Sequence, residues 1–169
     1  MIEIIQTKWM KLALDEAMKA YDKKEIPIGA IIVKDGRIIG RGYNQCESLM
    51  DPTAHAEMIA LTSAANTLGD WRLKDCSIYV TKEPCPMCAG LLVHSRINRL
   101  IFSSKDLKTG AAGSAFSLLN HEKHNHQVQV KSGLLAAECS DMLSAFFKRR
   151  REEKKAEKLA RKKQARFKR

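Results

Sequence analysis

The stretch DPTAHAEMIALTSAANTLGDWRLKDCSIYVTKEPCPMCAGLLVHSRINRLIFSS, residues 51–104, decides the fold. Asp51-Pro52-Thr53 opens a helix running from about His55 to Leu68, and Gly69 closes it. CSIYVTK, 76–82, is a β-branched run of strand type. Pro86 to His94 reads as a helix, with proline in the first turn, where its missing N–H would be unpaired anyway. NRLIFS, 98–103, reads as a strand again.

Outward from this block the pattern continues. Toward the N-terminus, residues 7–23 place Trp9, Leu12, Ala13, Ala17 and Ala20 at helical spacing, with Thr7 able to cap the start. Ile28 to Val33 is an apolar strand, Asp35-Gly36 a hairpin turn signal, and Arg37 to Tyr43 the returning strand. Toward the C-terminus, KTGAAGS (108–114) is loop, HQVQVKSG (126–133) a short strand, and the chain is helical from Leu134 to its end. The order α, β-hairpin, α, β, α, β, loop, β, α predicts an α/β fold, a mixed sheet with helices on both faces.

The chain has 169 residues, enough for one domain with a real core, and 44% of them are hydrophobic, ordinary for a globular protein. The net charge of +11 is unevenly placed. Residues 148–169 hold 13 Lys/Arg against 3 Asp/Glu, whereas the rest of the chain holds 17 against 16. A composition break near Lys148 therefore divides a domain, about 1–150, from a basic helical tail, about 151–169. Such a tail attracts polyanions, nucleic acid above all, or is a solvated helix that aids solubility.

Five cysteines at irregular spacing form no disulfide framework. The N-terminal MIEIIQTKWMK carries Glu3 and lacks the apolar core of a signal peptide, and no apolar run is long enough to cross a bilayer. A reducing cytoplasm is the compartment expected, where a CxxC more often binds metal or does redox chemistry.

His55-Ala56-Glu57 and Pro84-Cys85-Pro86-Met87-Cys88 carry the chemistry. His55, Cys85 and Cys88 are zinc ligands by type, and three protein ligands leave a fourth position for water, the mark of a catalytic rather than a structural site. Cys85 and Cys88 at i and i+3 share one face at a helix N-terminus, whose partial positive charge favours thiolate. Glu57, two residues from a ligand, is placed to move protons. The alternatives are a redox CxxC or half of a four-ligand structural site. The first needs no His-x-Glu, and the second needs a fourth ligand that Cys46, Cys76 and Cys139, each standing singly, do not supply by spacing. His94, two turns down the Cys88 helix, reads as a packing or supporting residue.

The H-x-E and P-C-x-x-C pair is the established signature of zinc nucleobase deaminases, and with it the chain resembles the cytidine deaminase-like superfamily. IPIGAIIV, RGYN, DPTAHAE, YVTKEPCPMCAGLLVHSRI, FSSKDLKTGAAGS, HNHQVQV and SAFFKRRR narrow the likeness. Over about residues 5–152 the chain is similar to the bacterial tRNA-specific adenosine deaminases. The resemblance implies a three-layer α/β/α cytidine deaminase-like fold with a five-stranded mixed sheet flanked by helices. It also implies one Zn2+ per subunit, a homodimer, and the anticodon stem-loop of a tRNA as partner. By matching positions it implies that Asn44 hydrogen-bonds the target nucleotide and that Glu25, Pro27 and Ile28 line its pocket. Asp106 would lie beside the nucleic-acid backbone and Lys108 would contact it. Phe146, Phe147, Arg149 and Arg150 would cradle the anticodon loop.

The reaction expected is deamination of the wobble adenosine to inosine. Hydroxide on zinc attacks adenine C6, Glu57 protonates N1 and then the departing amine, and ammonia leaves. The competing readings are a deaminase of free guanine or cytosine nucleotides, which the metal motif alone admits, and a non-catalytic RNA-binding zinc module. The basic tail, the FFKRRR segment and the KTGAAGS loop favour a polymeric substrate.

Overall fold

The structure is a computed structural model that describes residues 2–167 and the side chains of 3–164. Its elements run α1 (Ile2–Asp22), β1 (Gly29–Lys34), β2 (Arg37–Tyr43), α2 (Cys46–Leu49), α3 (Ala56–Leu68), β3 (Ser77–Lys82), α4 (Pro86–His94), β4 (Arg99–Ser104), β5 (Gln129–Ser132) and α5 (Ala136–Phe167). The five strands form one sheet in the order β2-β1-β3-β4-β5. β1 runs antiparallel to both of its neighbours, while β3, β4 and β5 are mutually parallel. The mixed sheet and the three layers are those expected.

Strand alternation sorts the core into two. Ala30, Ile32, Ile78, Val80, Leu100 and Phe102 point to one face, where Ala56, Ala60 and Leu61 of α3 and Ala89 and Leu92 of α4 cover them. Ile31, Val33, Tyr79 and Ile101 point to the other, under Met10 and Ala13 of α1, with Leu134 and Leu135 packed alongside. Interior strands covered on both faces carry the near-continuous apolar runs that the sequence shows. Asp35 and Gly36 both have positive φ, 48° and 69°, the two-residue turn whose twist suits a hairpin.

α3 lies close against β2 because Gly42 has no side chain. A Cβ there would run into the Ala56 carbonyl and the Ala60 amide. The first turn of α3 is thus seated directly on the sheet. The parallel pair β3–β4 is bridged by α4, and the parallel pair β4–β5 by the long segment 105–128, because parallel neighbours need a crossover of a dozen or more residues.

Several boundaries differ from the sequence reading. α1 begins at Ile2 rather than at Thr7, which lies inside it. Nothing between residues 2 and 6 breaks a helix, and Glu3 complements the positive N-terminal end. The last strand spans 129–132, shorter than 126–133. The short helix α2 was not anticipated. Its N-cap, Gln45, makes no side-chain capping bond, and the carboxylate of Glu25 caps it instead, accepting from the Glu47 and Ser48 N–H groups at 3.2 and 2.7 Å. No helix among the described residues is long and apolar enough to cross a membrane. All five cysteines are free thiols.

Candidate active site

β2, β3 and β4 end, and β1 begins, at one edge of the sheet, so the segments that follow or precede them converge there. His55 is the N-cap of α3 and Cys85 the N-cap of α4, both with extended backbone and neither making a side-chain capping bond. Their side chains are therefore free to face one another. Cys88 follows one turn into α4 and is fully buried. His55 Nδ1 lies 3.6 Å from each of the two sulfurs. Tetrahedral zinc with bonds of about 2.3 Å to sulfur and about 2.0–2.1 Å to nitrogen would hold N and S about 3.6 Å apart. The donor set and its spacing fit zinc, bound through Nδ1. Among the described residues, this trio forms the group of three able to grip a metal.

The cluster's protons are shared. The Cys88 thiol donates to Cys85, and this outweighs burial. With His55 on the other side, it brings Cys85 down to about 4. Donating that bond, together with burial, pushes Cys88 up. The hydrogen bond to Cys85 raises His55 despite burial. Glu57, in the first turn of α3, is 4% exposed, and burial pushes its carboxyl up. Its own N–H and His55 counter that only in part.

Above the cluster opens a cavity of about 210 Å³. Glu25, Ile28, Asn44, His55, Glu57, Cys85, Asp106 and Phe147, all expected at the site, line it together. Pro27 is buried outside the lining, and Lys108 is exposed on the neighbouring loop. The cavity is smaller than the roughly 300–1,000 Å³ clefts that bury drug-sized ligands, and it suits one planar base. A larger hollow of about 770 Å³ along the outer face of α1 lies away from the metal cluster and holds no catalytic constellation.

Asn44 Oδ1 accepts from the Ala56 N–H at 2.8 Å, which leaves its amide nitrogen as the group offered to the cavity. Phe146 is 3% exposed and meets Tyr21 edge-on at 5.9 Å. Arg149 Nη2 donates to the Tyr21 carbonyl at 3.0 Å, and its guanidinium lies 4.2 Å from the Tyr21 ring centre. These two residues pin α5 to α1 and so bring Phe147, half-exposed, to the cavity. Arg150 pairs with Glu153 at 2.8 Å. His94 stands at the far end of α4, stacked on Trp71 with ring centres 5.3 Å apart.

Sequence reasoning passed over Glu83. Buried two residues before Cys85, it accepts from the Asp106, Ala112 and Ser114 N–H groups, each at 3.0 Å. Its signal was an acid flanking a ligand motif, as Glu57 flanks His55. Gly110 of KTGAAGS must be glycine because a Cβ would collide with the Glu83 carboxylate and the Asp106 carbonyl. Asp106 pairs with Lys82 at 2.7 Å and accepts from the Lys108 and Thr109 N–H groups and the Thr109 hydroxyl. Most of the cavity's carboxylates are thus already engaged: Glu25 and Glu83 by backbone N–H groups, Asp106 by Lys82. With Lys82 so paired, the cavity favours a neutral base over a phosphate.

This sheet, with a His-Cys-Cys cluster and a buried glutamate at its edge, defines a deaminase of the cytidine deaminase-like fold. The family model of MafB19-like deaminases matches residues 4–151. The chain is 53% identical to the tRNA-specific adenosine deaminase of Haemophilus influenzae, covering 89% of this chain and 88% of the relative. It is 49% identical to that of Bacillus subtilis, covering 88% and 92%. It also superposes with a TM-score of 0.78, at 41% identity, on a structure from a study of A-to-I editing by tRNA deaminases at the wobble position. That match covers 80% of this chain and 99% of the other. The chain belongs to the tRNA-specific adenosine deaminases.

The loop that closes the cavity has a predictable pH response. Burial raises Glu83, but the Ser114 hydroxyl and three N–H groups outweigh it and leave the carboxyl below its ordinary value. Burial likewise opposes the Lys82 ion pair at Asp106, and the ion pair with the Thr109 hydroxyl and two N–H groups holds that carboxyl well below the carboxylate range. A group lowered on folding stabilises above its unfolded value and loses that contribution as pH falls through the folded one. Amide protection across 105–114, relative to the intrinsic exchange rate at each pH, is therefore expected to hold from pH 7 to about 5 and to decline below about 4. Glu83→Gln should lower it already at pH 7, at a cost of about 2 kcal/mol. Equal protection in the two proteins at pH 7 would show that Glu83 does not hold the loop.

Proposed function

We propose that this chain converts the wobble adenosine of a tRNA anticodon to inosine. The observation that carries the proposal is the buried Glu57 beside a three-ligand cluster with zinc spacing, under a cavity for one base. A zinc held by His55, Cys85 and Cys88 would supply Lewis acidity, able to bring the pKa of bound water down to about 7.

The chain's own residues do the rest. Asn44 presents its amide nitrogen to the nucleotide, and Phe147 offers an aromatic face at the mouth. An unpaired loop base can be splayed into such a cavity at modest cost. Glu57 accepts the proton of the attacking water and delivers it to adenine N1 as C6 gains its oxygen. It then takes the proton of the new C6 hydroxyl to the exocyclic amine, the C6–N bond breaks as the C6 carbonyl forms, and ammonia departs. Burial raises the Glu57 carboxyl, which suits a group that must both take and give a proton near neutral pH.

Engaged carboxylates and a paired Lys82 favour a base over a free nucleotide's phosphate, and they set this reading above deamination of guanine or cytosine nucleotides. Lys108 and Arg150 are the phosphate contacts proposed near the rim. Residues 1–150 form the catalytic domain in this reading, and 151–169 the basic extension. We place the enzyme in the cytoplasm as a homodimer. Met87, Leu91 and His94 of α4, with Trp71 stacked on His94, present an outward stripe that a second copy could cover.

Glu57→Gln is expected to keep its zinc and its melting temperature. It should lose about 10²–10⁴-fold or more in turnover of an anticodon stem-loop, read as adenosine sequencing as guanosine at the first anticodon base. Free adenosine should be a poor substrate for the wild type. Undiminished turnover in the variant would remove Glu57 from the chemistry. Sedimentation equilibrium is expected to give twice the 19.0 kDa chain mass, and a monomer would exclude the dimer.

A further inference from the structure

α5 does not end where the family match ends, at residue 151. It continues as one helix to Phe167. Residues 154–164 are all exposed, so packing does not explain this extension. At about 100° per residue, Arg151, Lys154, Lys155, Lys158, Arg161 and Lys162 fall in one arc of about 120°. Phe147, which lines the cavity, lies in the middle of that arc. Arg149, which binds α1, lies opposite it, and Glu152, Glu153 and Glu157 fall outside it.

The helix therefore carries a basic stripe that starts at the cavity mouth and runs along α5 for about 22 Å from Phe147 to Lys162. Among the described residues, none of the six forms an ion pair within the chain. Like charges at i and i+4, such as Lys154–Lys158 and Lys158–Lys162, repel when nothing lies across them.

We infer that this stripe grips the phosphate backbone of the RNA stem adjoining the loop whose base enters the cavity. The inference rests on the RNA-deaminase reading of that cavity. The chemistry of the stripe selects the ligand. Residues 148–164 contain no aromatic side chain, so the stripe offers nothing for unpaired bases to stack on. Leu159 is the single large apolar residue there, so no apolar face exists to enter a bilayer. What remains is a straight row of cations, matched to regularly spaced phosphates and indifferent to sequence.

The test uses full-length protein. Lys154→Gln/Lys158→Gln/Arg161→Gln is compared with wild type and with Lys8→Gln/Lys11→Gln/Lys74→Gln, which removes the same charge elsewhere. Substrates are an anticodon stem-loop with its whole stem and one with the stem cut back to a few pairs. At about 0.15 M salt the stripe variant is expected to show a KM about tenfold higher on the whole stem, with kcat unchanged. Its binding should vary with salt by a log–log slope about 2–3 shallower. On the cut-back stem it should match wild type, and the control should match wild type on both. Equal KM and salt slope on the whole stem would overturn the inference. So would an equal loss on both stems, or a control that loses as much. Binding of the same RNAs, measured without turnover, tests the stripe even if the chain deaminated neither, so failure of the stripe and failure of the deaminase reading are separate results.

Discussion

Three ligand atoms must meet within one coordination sphere, although they come from two helices whose first residues stand thirty apart in sequence. His55 and Cys85 reach each other because α3 and α4 both start at one edge of the sheet and pack on the same face of it. Gly42 lets the first turn of α3 press onto β2, and the parallel pairing of β3 with β4 sets α4 beside it. At these two N-caps the side chain makes no capping bond, so imidazole and thiolate remain available. Two positive helix ends then face the site, which favours the anionic sulfurs that zinc requires.

The acidic character of the cavity is resolved by the same economy of partners. Glu25 caps α2, Glu83 ties down the 106–114 loop, and Asp106 meets Lys82. Glu57 is raised by burial, which its own N–H and His55 offset only in part. The proposed reaction uses this carboxylate for proton transfer, while the others hold the walls. A neutral base fits such a chamber. In the proposed reading, the phosphates that accompany it are met outside, by Lys108, Arg150 and the stripe of α5.

Much of this was legible in the sequence wherever the cause was local. Pro86 beside Cys85, Gly69 after α3 and Asp35-Gly36 between the first strands each act within a few residues, and each element lies where its signal placed it within about two residues. Causes at a distance were hidden. α2 is capped by a carboxylate more than twenty residues earlier, and Glu83 reaches donors as far as Ser114. Thr7 looked like a cap because the pattern said nothing against it, yet the helix simply extends to Ile2. Phe146 and Phe147 are neighbours in sequence with opposite tasks, one buried against Tyr21 and the other at the cavity. Only the docking of α5 on α1 separates them.

X-ray absorption at the zinc edge of the purified protein tests the central claim most directly. Two sulfur scatterers at about 2.3 Å and one imidazole nitrogen at about 2.0–2.1 Å are expected, with a single light atom from solvent completing four. A third sulfur or a second imidazole in that shell would contradict it, because the position that activates water would then be closed.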